Sequence, residues 1–504
     1  MVNWKKLQNG SDIRGVALEG VRDERVNLSG NVAMKLGQAF AAWLEKNGKG
    51  LKKVAVGTDS RISGKKLKKA FIDGLTDSGF DVLDCGLAST PAMFMTTINE
   101  NIGVEGGVML TASHLPFNRN GMKFFTEKGG FDKNNVSDLL RIASREEFIV
   151  TDTKGSVQKI DFISEYANFL VETIRKGVND PVQYNTPLAG LKIIVDAGNG
   201  AGGFFAGKVL EPLGADISGS QFLNPDGRFP NHVPNPEDAK AMESICSAVI
   251  REKADLGIIF DTDVDRAAIV DAEGNAINRN DLIALISSVI LEEHPASVIV
   301  TDSITSSGLN WFITKHLKGV HHRFKRGYKN VINESLRLNA EGVESWLAIE
   351  TSGHAALKEN HFLDDGAYLV AKLLIQMAKL KQKGQTLSGL IESLPHPLEE
   401  GEFRLIIRTK EFGSYGEEVL KQLAVMIEKE VDWSPETPNY EGIRVNCTGD
   451  NEEGWFLLRM SLHDPVMPLN VESNAHGGVK AISSRLQKLL RTFKHLGLDA
   501  LNET

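Results

Sequence analysis

Three times along this 504-residue chain, a short apolar strand runs into a polar loop, and a second apolar strand then empties into a second polar cluster. The first unit has Lys53-Val54-Ala55-Val56-Gly57, then Thr58-Asp59-Ser60-Arg61, a helix pattern from about Lys65 to Gly79, and a strand from Asp81 to Cys85. The second has Ile193-Ile194-Val195, then Asp196-Ala197-Gly198-Asn199-Gly200 and a helix-like stretch to Leu213-Gly214. The third begins with Val298-Ile299-Val300 and Thr301-Asp302-Ser303. The second clusters are Thr111-Ala112-Ser113-His114, Asp261-Thr262-Asp263 and Glu350-Thr351-Ser352-Gly353-His354. The pattern repeats while the residues differ.

Short apolar runs alternating with helices predict mixed or mostly parallel sheets covered on both faces. Ligands of such sheets bind outside the carboxyl ends of the strands, where all three second clusters fall. The chain is also too long for one core. The last hundred residues differ: strands at Phe403–Ile407, Gly442–Cys447, Trp455–Met460 and Pro468–Glu472, with helices near 411–430 and 478–495, give an α+β pattern. The expected fold is α/β, with three similar mixed α/β sheet domains plus a C-terminal α+β domain around one central cleft. The expected domains are 1–155, 156–285, 286–397 and 398–504, divided where Gly, Pro and charged residues gather.

A formal charge of −9 argues against a general nucleic-acid binder, yet leaves room for small anions met by a few placed Arg and Lys side chains. Cys85, Cys246 and Cys447 form neither a metal spacing nor a disulfide framework, which suits a reducing compartment. No apolar run approaches membrane-spanning length, and the first residues lack a signal-like apolar core. The expectation is a cytoplasmic protein without nucleic-acid or membrane partners, a monomer or small homo-oligomer.

The chemistry concentrates in loops. Val108 to Leu110 reads as a buried strand that ends at Ser113 and His114, with Lys123 just beyond. A hydroxyl, an imidazole and an amine around one loop suit a phosphoryl acceptor held by polar and cationic groups. Against this stands the ordinary role of a turn serine as a partner of its own backbone. Asp261, Asp263 and Asp265 alternate on a loop with Arg266, and would repel one another unless neutralised. Oxygen-only ligands suit Mg²⁺, and the EF-hand pattern fails at Arg266 and Ala272. The bland alternative is a solvated acidic turn. Asp196 to Gly203 contains G-x-G-x-x-G but reads as a tight strand-to-helix turn rather than a dinucleotide site, since nothing else points to hydride transfer. Glu350, Ser352 and His354 could pair with sugar hydroxyls. Arg459 and Ser461, at a strand-to-loop junction, could grip a phosphate. Arg14 follows Ser11-Asp12-Ile13 and precedes Gly15.

Together these residues resemble the α-D-phosphohexomutase family, especially its bacterial phosphomannomutase/phosphoglucomutase branch, from Asp12 to the C-terminal domain and in family order. The resemblance implies that Ser113 carries a phosphoryl group and that Asp261, Asp263 and Asp265 hold Mg²⁺ together with the Ser113 oxygen. It implies that Lys325, Gly327 and Tyr328 close on substrate and that Glu350, Ser352 and His354 recognise the sugar. Arg459, Ser461 and His463 would hold its other phosphate. His114, Lys123, Arg14, His354 and Arg266 are its candidates for proton transfer and charge stabilisation. The implied reaction interconverts hexose 1-phosphate and hexose 6-phosphate of glucose or mannose, with a hexose 1,6-bisphosphate as intermediate and activator. Leu115, Ser11, Thr351 and His463-Asp464-Pro465 depart from the usual residues in loops that touch the sugar and its distal phosphate. Two rivals use the same residues. A haloacid-dehalogenase-like phosphatase would make Asp261 the nucleophile, and a sugar-phosphate sensor would bind without turnover.

Overall fold

The computed structural model describes residues 2–461 and 464–502. The chain divides into two compact units, 1–289 with 352–390, and 290–351 with 391–504.

In the first unit, a mixed sheet runs in the order Gln8–Asn9, Asp12–Val16, Arg119–Thr126, Gly106–Leu110, Lys53–Thr58, Asp81–Leu87, Val157–Lys159. The last four strands are parallel, while Arg119–Thr126 lies antiparallel to both its neighbours. Gly106–Leu110 is buried along its whole length, so it reads as a continuous apolar run with no alternation. The chain then reverses through residues 111–118 into Arg119–Thr126, and the loop that carries Ser113 is the turn of this antiparallel pair.

The same device builds the next sheet, ordered Ala276–Ile277, Ala267–Val270, Leu256–Phe260, Ile193–Asp196. Leu256–Phe260 lies parallel to Ile193–Asp196 and antiparallel to Ala267–Val270. Asp261 to Arg266 is the turn between the antiparallel strands. The helix-like stretch expected before Gly214 is a π-helical turn, Phe205–Leu210, followed by a 3₁₀ turn, Glu211–Leu213. Gly200 lies against the acidic turn, where an added Cβ would sit 2.7 Å from the Thr262 carbonyl oxygen. The glycines of this segment therefore serve close backbone packing, as the tight-turn reading expects.

Helix ends follow local chemistry. Ser29 caps Gly30–Asn47, and Ser89 caps Thr90–Ile98, each accepting the backbone N–H three residues on. Asp132 and Asn135 form a reciprocal capping box at Lys133–Arg145. Helix Gly30–Asn47 buries Val32, Leu36, Phe40 and Leu44 on one stripe, and Phe40 meets Phe124 of the sheet at 5.0 Å between ring centroids.

In the second unit, Val320–Arg323, Val298–Thr301 and Ser345–Ile349 form a parallel set. The C-terminal sheet is wholly antiparallel, in the order Glu399–Ile406, Val466–Ser473, Gly454–Leu458, Ile443–Cys447, Trp433–Pro435. Its core joins Leu405, Phe456 and Leu469 to Val419 and Leu423 of helix Phe412–Ile427 and Ile482 and Leu486 of helix Gly478–Leu490. The seam between these two parts is mainly charged. Arg444 donates to the Ser303 carbonyl at 2.9 Å and the Thr305 carbonyl at 3.1 Å, lies 3.5 Å from the Trp455 ring centre, and pairs with Glu436. Arg323 donates to the same Glu436 at 2.7 Å. Apolar contacts add a small knot of Ile304, Trp455 and Leu457, and the Tyr440 ring packs on Phe324 at 5.0 Å between centroids.

Helices Gly30–Asn47 and Gly64–Asp77 approach so closely that a Cβ on Gly74 would sit 2.1 Å from the Met34 carbonyl oxygen, and one on Gly37 2.2 Å from that of Phe71. Because both obstacles are backbone, Gly74→Ala is expected to destabilise the first domain by about 2 kcal/mol despite alanine's better helix propensity. Urea unfolding followed by circular dichroism checks this, with unchanged or raised stability as the contrary result.

Candidate active site

Ser113, three residues beyond the buried strand Gly106–Leu110, has φ +50, a left-handed conformation uncommon for a residue with a side chain. Its Oγ donates to Asp261 Oδ2 at 3.0 Å and accepts from Arg266 Nη2, also at 3.0 Å. These groups lie 148 and 153 residues apart in sequence. His114 Nδ1 lies 2.6 Å from Arg266 Nη2 and 3.3 Å from Ser113 Oγ. Burial first, then the charges of Arg266 and Arg14, hold the His114 pKa down to about 3, so its ring is a neutral acceptor.

The acidic turn is fully buried. One carboxylate oxygen from each of Asp261, Asp263 and Asp265 lies within 4.8 Å of the others. Lys123, on the strand beyond the Ser113 loop, pairs with Asp265 and stands 3.6 Å from Asp263 Oδ2. Arg266 donates to Asp261, to Asn235 at 3.0 Å, and lies 3.6 Å from Glu237. Thr90, at the start of its helix, donates its hydroxyl to Asp263 and its N–H to the Asp263 carbonyl at 2.8 Å. Two cations thus face three carboxylates. Burial, then Asp265 and Asp263, push Asp261 well above the usual carboxylate range. At Asp265 burial acts in the same sense, but Lys123 and Arg266 outweigh it and hold that carboxyl low.

This donor set fits a hard divalent cation. The oxygens are carboxylate, and Oδ1 of Asp263 and of Asp265 is buried without a hydrogen-bond partner. Backbone strain marks the same turn: Val264, β-branched, has φ +68, and its carbonyl accepts from Gly366 N at 3.1 Å.

His354 closes the group. Its Nδ1 lies 2.8 Å from Ser352 Oγ, and its Nε2 lies 3.7 Å from Asp265 Oδ1 and 3.6 Å from Asp364 Oδ2. Burial, then Arg266 and Lys123, hold its pKa well below the ordinary histidine value. Arg14, on strand Asp12–Val16, pairs with Asp12 at 3.1 Å. Ser113, His114, Lys123, Arg266, the three aspartates, Ser352 and His354 are thus joined by hydrogen bonds and ion pairs within the first unit, and the charge of Arg14 acts on His114.

The second unit holds the remaining candidates. Glu350 is buried and accepts from Gly327 N at 2.6 Å, and Gly327 itself has φ +115. Tyr328 begins the helix Tyr328–Ala340, and Lys325 is exposed. Arg326 N donates to Glu441 at 3.1 Å, and Glu441 also accepts from Ser303 Oγ. Thr351 donates to buried Asp302 at 2.7 Å. Arg459 is 9% exposed, and burial, the leading influence, lowers its pKa against the opposing pull of Glu441. Ser461 Oγ accepts from Asp464 N at 3.2 Å. His463 lies outside the described residues.

Sequence reasoning missed several partners. Asp59 and Arg61 sit beneath the Ser113 loop, Thr90 and Asp364 touch the acidic group, and Asp302 and Glu441 organise the second unit's loops. A signal existed for two of them, because Asp59 and Asp302 occupy matching places at strand ends in the repeat, as Asp196 does.

Comparison with known proteins adds an independent line. Residues 5–148, 164–274 and 278–398 match the family models described as phosphoglucomutase/phosphomannomutase, alpha/beta/alpha domains I, II and III. A phosphoglucomutase of Neisseria meningitidis is 30% identical over 486 residues, covering 96% of this chain and 96% of its own. A phosphomannomutase/phosphoglucomutase of Pseudomonas putida is 29% identical, covering 97% of this chain and 96% of its own. The crystal structure of a phosphoglucomutase/phosphomannomutase family protein from Burkholderia thailandensis superposes with a TM-score of 0.80 at 26% identity, covering 98% of each chain. Sequence, sheets and the acidic triad agree, and the chain belongs to the phosphoglucomutase/phosphomannomutase family.

Proposed function

We propose that this chain interconverts hexose 1-phosphate and hexose 6-phosphate, with Ser113 as the phosphoryl carrier and glucose or mannose phosphates as substrates. The observation that carries this reading is the 3.0 Å approach of Ser113 Oγ to Asp261 Oδ2, two groups from different domains within one unit.

In the forward half-reaction, the bond between Ser113 Oγ and phosphorus breaks as a sugar hydroxyl forms the new one. The products are a free serine and a hexose 1,6-bisphosphate. After the bisphosphate reorients, its other phosphoryl group passes to Ser113 Oγ and releases the isomeric monophosphate. Mg²⁺, held by Asp261, Asp263 and Asp265 with the Ser113 oxygen, would offset the charge of the transferred group, which carries about −1.5 to −2 as phosphoserine. Arg266, donating to Ser113 Oγ, and Arg14 supply further positive charge at the seryl oxygen. Lys123 and His354, both beside Asp265, would exchange a proton with the sugar hydroxyl. His114 stays neutral and accepts from Arg266, steadying that guanidinium.

Glu350, Ser352 and His354 would pair with ring hydroxyls, while Lys325, Gly327 and Tyr328 cover the sugar. Arg459, Ser461 and His463 would hold the phosphate that does not react. Burial of Arg459 supports that role, because a guanidinium held out of water gains strongly from a phosphate. The four domains 1–155, 156–285, 286–397 and 398–504 then carry the phosphoserine, metal, sugar and phosphate loops in turn.

Ser113→Ala is expected to cut turnover by more than about 1,000-fold while leaving stability within about 1 kcal/mol, since one hydroxyl contributes little packing. Coupled assays with glucose 1-phosphate and mannose 1-phosphate, together with peptide mapping for phosphoserine, check this. Labelled phosphate recovered on Asp261 would overturn the assignment. Chelation should lower activity by more than about 100-fold, with full recovery on adding Mg²⁺. Arg459→Ala should raise KM by about 10- to 100-fold with a smaller change in kcat. A pure kcat defect in steady-state kinetics would remove it from the phosphate clamp.

A further inference from the structure

The loop from Ser113 to Arg119 turns its carbonyl oxygens inward onto a single cation. Arg61 Nη2 donates to the Ser113 carbonyl and to that of Leu115 at 2.6 Å, and Nη1 donates to those of Pro116 at 2.8 Å and Arg119 at 3.0 Å. The Arg61 side chain is wholly buried and lies 3.3 Å from Asp59, whose Oδ1 accepts from Arg61 N at 2.9 Å. Asp59 N in turn donates to the Leu110 carbonyl, so the pair is fixed to the strand that delivers Ser113. A loop of the second domain seals the other side. The Phe229 ring centre lies 5.2 Å from the guanidinium, and a Cβ on Gly227 would sit 2.4 Å from Ile62 N.

We propose that Arg61 is the positioning residue of the phosphoryl-carrying loop, holding Ser113 in the left-handed conformation from which Oγ meets Asp261. A left-handed residue with a side chain costs roughly 1–2 kcal/mol, so it persists only where its surroundings impose it. The surroundings here are mostly backbone oxygens gathered by one planar group, joined by the Thr111 hydroxyl that accepts from Ser113 N at 2.9 Å. Being buried, Arg61 meets no substrate, and it acts through the four carbonyls of the Ser113 loop. Lysine cannot replace it, because one ammonium does not span four acceptors spread along seven residues. This role rests on the reading of Ser113 as phosphoryl carrier.

The test compares Arg61→Lys and Arg61→Met with Leu139→Ala, a buried core change in the same domain. Misplacing a reacting atom by about 1 Å costs on the order of 100-fold, so kcat should fall by about that factor with KM within about twofold. The rate at which hexose 1,6-bisphosphate phosphorylates Ser113, read by intact mass, should fall in parallel. Amide exchange over residues 111–119 should rise while the rest of the chain is unaffected. Leu139→Ala should lower the melting temperature yet keep kcat. Unchanged exchange and kcat in Arg61→Lys, or an equal kcat loss in Leu139→Ala, would overturn the proposal. If Arg61→Met does not fold, Arg61→Lys decides. If the wild-type chain shows no mutase turnover, the function reading fails, and exchange alone still decides the loop claim.

Discussion

The constraint on which this architecture depends is electrostatic: three carboxylates confined to one buried turn. Two unit charges about 4 Å apart interact by about 4 kcal/mol at an effective dielectric near 20, so opposing charge nearby strongly favours the ionised turn. Arg266 is supplied by the turn itself, whereas Lys123 comes from the preceding domain. The same need that a cation would satisfy therefore also draws the first two domains together, and it brings Ser113 with them. Thr90 adds a neutral contact from that same domain.

The repeated fold uses one position for this purpose three times. An aspartate ends the first strand of each unit, and in each it braces a loop. Asp59 anchors Arg61 under the Ser113 loop, and Asp196 pairs with His232 at 3.0 Å. Asp302 receives the Thr351 hydroxyl from the third cluster. The second strand ends carry a hydroxyl, an acidic triad and a Glu-Thr-Ser-Gly-His loop, while the bracing position carries a carboxylate in all three. Burial makes that position expensive to leave unpaired, so each aspartate carries its own partner.

Much of this was legible in the chain. Strands buried on both faces appear as uninterrupted apolar runs, which is why Val108–Leu110, Ile193–Val195 and Leu256–Phe260 stand out. The three aspartates stand out because acids clustered on one loop repel unless neutralised, whereas Ser113 gains meaning only beside the other loops. Arg61 did not stand out, since its partners are backbone carbonyls, and a carbonyl has no residue identity to read. Thr90 and Asp364 were hidden for a related reason: each meets the acidic group from an element whose own pattern is ordinary. The π-helical turn Phe205–Leu210 was also invisible, because widening a helical turn by one residue leaves apolar periodicity almost unaltered over six positions.

The seam centred on Arg444 has a consequence for how the C-terminal sheet is held. Guanidinium groups leaving carbonyl and carboxylate partners are met by water, whereas parted oily faces are not, so separation here exposes little that resists wetting. The third and fourth sheets are thereby joined in large part by guanidinium contacts that water can replace once they part. Because Arg444 is itself buried, dissolved salt reaches these contacts only weakly while the seam is closed.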